Sequence, residues 1–123
     1  MSPQPQDERR KYKRISKSFI LTYFEKDNPQ KKYEITQLRN IGMGGMCFIT
    51  TQPFPEGVQL SIDLKTPYLT DITHIHGVVQ ESHTKVANML YETRLKFDYL
   101  SAEAEYVVAR LMEVFLEEGN TNP

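Results

Sequence analysis

Val58-Gln59-Leu60-Ser61-Ile62-Asp63-Leu64-Lys65 decides the fold class. Apolar and polar residues alternate strictly, which is the two-residue period of a strand with one face buried and the other wet. Outward from it, other segments carry the same chemistry. Phe19 to Tyr23 is rich in β-branched and aromatic residues, and Asp27-Asn28-Pro29 then turns the chain. Tyr33 to Leu38 is expected as a second strand ending at a glycine-dense turn, and Met46 to Thr51 as a third. Pro53, Pro55 and Gly57 punctuate the next loop. Ile72 to Gln80 and Leu90 to Tyr99 complete the set, with a polar connection expected at Glu81 to Asn88.

The period changes after Ser101. Ala104, Val107, Val108, Leu111 and Phe115 recur at three- and four-residue steps, an apolar helical stripe. Ser101 is placed as its N-cap and Gly119 as its stop. Short strands with turn signals followed by one helix predict an all-β fold with a terminal helix: a six-stranded antiparallel β-barrel packed by a C-terminal α-helix.

At 123 residues the chain has material for one core. Its 15 basic and 16 acidic residues leave a formal charge of -1, without the basic excess of a protein that coats long nucleic acids. Any cationic function must then be local. Cys47, the single cysteine, lies in the apolar run Met46-Cys47-Phe48-Ile49 and reads as a small buried hydrophobe. One cysteine permits no internal disulfide, which fits a reducing interior. No apolar stretch approaches the ~20 residues of a membrane span, and the polar start lacks a signal peptide's pattern. A cytoplasmic location is expected.

Two segments carry candidate chemistry. Arg9-Arg10-Lys11-Tyr12-Lys13-Arg14 supplies guanidinium forks suited to phosphate and to guanine edges. Read alone, it is a solvated charge run, but it abuts the first strand. Asn40-Ile41-Gly42-Met43-Gly44-Gly45 is a turn through which a ligand can approach the backbone. Read alone it is a bend using glycine for positive φ, yet three glycines among four residues exceed that need. His74 and His76 share a strand face and could ligate a metal with Asp63 or Asp71, but no Cys or third His stands nearby in sequence, so they read as ordinary strand positions and no metal site is expected. No serine elbow or paired thiol nucleophile is present, and catalysis is not expected.

On Arg10-x-x-x-Arg14 and Asn40-x-Gly42-x-x-Gly45, leading into Met46-Cys47-Phe48-Ile49, the chain resembles the PilZ domain, a bacterial receptor module for cyclic di-GMP. The family's motifs are RxxxR on an N-terminal arm and (D/N)xSxxG after the second strand. The likeness runs from Glu8 to Glu118 and implies a barrel domain over 9–118, while the Pro- and Gln-rich, aperiodic composition of residues 1–8 and the similar polar end at 119–123 read as a flexible arm and a tail. It implies that Arg10 and Arg14 grip the ligand's phosphates and guanines, that Asn40 hydrogen-bonds a guanine and that Gly45 leaves room for it. Gly42 stands where the motif has serine. Arg9 completes a tandem RRxxxR, which in the family often accompanies two stacked ligand molecules. The implied function is a cyclic di-GMP-binding receptor or adaptor whose arginine arm orders on binding and which signals to a downstream protein. The ligand is then cyclic di-GMP, with no cofactor besides. The alternatives are a ligand-independent adaptor and a single-stranded nucleic-acid binder using Tyr12, Tyr23 and Phe24 as stacking platforms.

Overall fold

Each alternating segment must cover one apolar face, and in a single small domain the strands do so by curling that face inward. The computed structural model describes residues 13–15 and 18–120. Its elements are β1 (Lys13–Arg14), β2 (Ile20–Glu25), β3 (Tyr33–Ile35), β4 (Gln37–Ile41), β5 (Gly45–Thr50), β6 (Gln59–Lys65), β7 (Thr73–Val86), β8 (Leu90–Phe97) and α1 (Ala102–Asn120). The strands form one antiparallel sheet in the order β1-β4-β5-β8-β7-β6-β2-β3. The helix lies against β7, β1 and β4. This is the antiparallel barrel with a packed C-terminal helix that the alternation implies.

There are eight strands against the expected six, β1 being one addition, and two further differences from the expected pattern are informative. The segment Tyr33 to Leu38 is two strands: β3 pairs with β2, and β4 pairs with β1 and β5. Ile35 and Leu38 are both buried but stand three residues apart, an odd spacing that a single flat strand cannot reconcile with one face. The chain bends at Thr36 and changes partners. Second, Glu81 to Val86 continues β7 instead of forming a loop, and pairs with Leu90 to Arg94 as a protruding two-stranded ribbon. The ribbon overhangs the barrel, so its β7 strand buries neither face and shows no apolar alternation. Its rungs are polar: Arg94 with Glu81, Lys85 with Glu92, and the Ser82 and Thr93 hydroxyls 2.8 Å apart.

Inside the barrel, Tyr23 stacks on Tyr33 at 5.2 Å between ring centroids and meets Phe48 edge-on at 5.4 Å. Burial pushes the Tyr23 phenol far above its ordinary pKa. With 2 % of its surface exposed, Tyr23 is core and cannot serve as a nucleic-acid stacking platform, which corrects that expectation. Tyr12 lies outside the described residues. On the helix, Ala104, Val107, Val108 and Leu111 are buried against the sheet. Each Val or Leu so covered contributes about 1.5–3 kcal/mol relative to exposure. Ser101 caps the helix as its sequence implied, its Oγ accepting from the Ala104 amide at 3.1 Å. The helix continues to Asn120, one residue past the glycine expected to end it.

Where β5 meets β8, Gly45 sits opposite Lys96, and a Cβ on it would overlap the Leu95 carbonyl oxygen. The obstacle is backbone, which no rotamer change can relieve. Gly44, one residue earlier, faces open space and has no positive φ. Gly45→Ala should therefore destabilise the fold by about 1–3 kcal/mol, as overpacking does, while Gly44→Ala leaves it unchanged or slightly more stable. Urea denaturation of the two variants checks the contrast.

Candidate ligand-binding cleft

The β4–β5 hairpin is closed by the Gly42 amide donating to the Gly45 carbonyl at 2.9 Å. Among the described glycines only Gly57 has positive φ, so the glycines of this turn do not serve left-handed geometry. Gly45 answers to the close approach of β8, whereas Gly42 and Gly44 have open space where a side chain would project. What the turn leaves is room. Beside it opens a cleft of about 290 Å³, lined by Asn40, Gly44, Gly45, Met46, Gln80, Arg94, Leu95 and Lys96.

Register explains why these residues converge. Cys47 on β5 pairs with Asn40 on one side and Arg94 on the other, and Gly45 pairs with Lys96. The cleft thus lies on the outer face of the sheet, across β4, β5, β8 and the near part of β7. Two exposed cations, Arg94 and Lys96, form one wall, and no acidic side chain lines it. An exposed amide, open backbone and two cations form a surface suited to an anionic ligand with hydrogen-bonding edges.

Next to the cleft a single carboxylate joins four strands. Glu92 on β8 is buried, with 6 % of its surface exposed. Arg39 of β4 approaches it at 3.4 Å, Lys85 of β7 at 3.8 Å, and the Cys47 thiol of β5 donates to it at 3.2 Å. A buried charge is tolerable only with such partners. Burial first, and then the hydrogen bond to Glu92, pushes the Cys47 thiol up to about 12. It stays protonated and unreactive at neutral pH.

The sequence-derived site residues separate into groups. Asn40 and Gly45 line the cleft together, while Gly42 belongs to the adjoining turn without lining it. Arg14 is exposed on β1, opposite Gln37 of β4, about 10 Å along that strand from Asn40 at ~3.3 Å per residue. Arg9 and Arg10 lie outside the described residues. Gln80, Arg94 and Lys96 were not anticipated. The only sequence signal was the charged alternation Glu92, Arg94, Lys96 on one face of β8, which alone indicates no more than a wet face. The histidines find cross-strand partners: His74 with Asp63 at 2.7 Å and His76 with Ser61 at 3.0 Å. Among the described residues no group of three or more His, Cys, Asp or Glu side chains could hold a metal.

No family model matches the chain, and no curated protein matches it. Solved structures do. MrkH of K. pneumonia in its apo state shares 15 % identity with a TM-score of 0.59, covering 89 % of this chain and 51 % of that one. The MrkH–c-di-GMP complex shares 13 % identity with a TM-score of 0.60, covering 91 % and 53 %. The Bacillus subtilis inhibitor of motility MotI/DgrA shares 15 % identity with a TM-score of 0.56, covering 90 % and 51 %. The chain spans about half the length of each of these structures. At such identities the likeness is one of fold, and in that sense alone this barrel is similar to a protein solved with c-di-GMP.

Proposed function

We propose that this chain is a receptor for cyclic di-GMP that binds it between the β4–β5 glycine turn and the preceding arginine arm, and passes the signal to a protein partner. The observation that carries this reading is the cleft. Asn40 and Gly45, two residues of the (D/N)xSxxG-like motif, line it beside Arg94 and Lys96. The fold it shares with MrkH, a protein solved with c-di-GMP, is independent support.

The direction of β1 supports the role of the arm. Lys13 faces Leu38 and Arg14 faces Gln37, so going backward along β1 goes forward along β4 toward Asn40. In the bound state the arm continues that way, and Arg9 and Arg10 reach the ligand from the side opposite the β8 cations. A cleft of about 290 Å³ is at the small end of ligand pockets, which run from ~300 to ~1,000 Å³, so it covers only part of a cyclic dinucleotide. The arm supplies the missing cover. Its ordering costs conformational entropy, offset by charge-assisted hydrogen bonds. The arm and ligand together then present a surface that was absent before, which a partner reads.

Titration calorimetry with cyclic di-GMP tests this directly, and absence of binding would leave a ligand-independent adaptor in its place. Arg14→Ala should weaken binding at least tenfold with circular dichroism unchanged, since a hydrogen bond to a charged group contributes about 1.5–3 kcal/mol. Near-native affinity in the folded variant would remove Arg14 from the site.

Gly42→Ser restores the motif hydroxyl where nothing lies within 4 Å and no positive φ stands in the way. It should tighten binding by about tenfold or less, the worth of one net hydrogen bond, without loss of stability. A weaker complex would show that the site is adapted to glycine.

Arg9 is the extra cation for a second, stacked ligand. The calorimetric ratio should be two ligands per chain in the native protein and one in Arg9→Ala. A native ratio of one, or an unchanged two in the variant, contradicts that role.

A further inference from the structure

Arg94 stands between two demands. It lines the cleft, and its Nη1 also lies 3.4 Å from Oε2 of Glu81, which faces it across the β7–β8 ladder. That contact is long beside the 2.7–2.9 Å of a tight charge-assisted bond. It uses one nitrogen of a fork that carries five donors. Both side chains are well exposed, 60 % for Arg94 and 47 % for Glu81, so the pair is screened and readily exchanged. Glu92, the neighbouring acid on β8, is different: it is buried and held by Arg39, Lys85 and Cys47. Its ties are built into the sheet, whereas that of Glu81 is not. The register shift between Val79 and Glu81 leaves Gln80 lining the cleft while Glu81 stands beside it without lining it.

We infer that Arg94 is an anion-gripping residue of the cleft and that Glu81 is its internal competitor, setting the affinity of the site by holding the guanidinium until a phosphate takes it. The inference rests on the cyclic di-GMP reading above. A phosphate offers two oxygens to the planar fork and accepts two parallel bonds where Glu81 accepts a single long one. Binding therefore exchanges Arg94 from carboxylate to phosphate, and the displaced Glu81 remains as a nearby negative charge. Because both ions are exposed, the competition weakens as salt rises.

A double-mutant cycle in the full chain, read by calorimetry with cyclic di-GMP at low and high salt, tests it. Glu81→Gln keeps the shape and removes the charge, and should tighten binding about threefold to tenfold at low salt and less at high salt. Arg94→Ala should weaken binding about tenfold or more, with Arg94→Lys recovering part of the loss. The decisive arm is Glu81→Gln in the Arg94→Ala background, where the gain should vanish. Equal tightening in both backgrounds overturns the competition and leaves Glu81 as a simple repulsive charge. Native affinity in Arg94→Ala, with the thermal transition unchanged, overturns the role of Arg94 while the receptor reading stands. Failure of the native chain to bind cyclic di-GMP overturns the reading and the inference together.

Discussion

One residue, Thr36, separates two strands that lie near opposite ends of the sheet. β3 is the last strand on one side and β4 the second on the other, yet they are consecutive in the chain. A flat sheet cannot satisfy that connection, because its ends would lie several strand widths of ~4.8 Å apart. The sheet must curl until they meet. The ring contact between Tyr23 of β2 and Phe48 of β5 follows from this, since those strands are remote in the ladder and adjacent only across the interior. The barrel is thus closed by covalent chain, and the helix is free to cover the core near β1, β4 and β7.

Pairing within the sheet makes the cleft. β4, β5 and β8 are hydrogen-bonded neighbours, so Asn40, Cys47 and Arg94 fall in one row, and at Gly45 the β5 backbone lies close to that of β8. Side chains are absent where the backbones crowd, and the space above is what a ligand can enter. Glu92 fixes this region from beside the cleft, with ties to Arg39, Cys47 and Lys85 that reach every strand lining it. The walls of the cleft are thus held in place by contacts within the sheet itself.

Much of this was legible in the sequence, and the illegible parts share a cause. The alternation of Val58 to Lys65 and the three-to-four spacing of Ala104 to Phe115 report burial, and burial is what periodicity encodes. Glu81 to Val86 buries neither face, so hydrogen bonding and cross-strand ions hold a strand that no pattern could announce. The bend at Thr36 is visible only as an odd spacing between Ile35 and Leu38. For the cleft, Asn40 and Gly45 could be named because they are close in sequence and share a motif. Arg94 and Lys96 arrive through the β5–β8 register, some fifty residues away in the chain, and pairing partners are not written in either strand alone.

The β7–β8 ribbon has one further property, a mechanical one. Its base carries Gln80, Arg94 and Lys96 at the cleft, while its tip exposes Val86, Met89 and Leu90 around Asn88, whose φ of 62° turns the chain back. Between Gln80 and Val86 run six residue steps, or about 20 Å of ribbon at ~3.3 Å each. Two-stranded ribbons vary widely in twist, so a rotation of about 5° at the base is a small adjustment, and over that length it carries the tip sideways by about 2 Å. The ribbon is a lever arm whose short end is the wall of the cleft and whose long end is an apolar point held out in solvent.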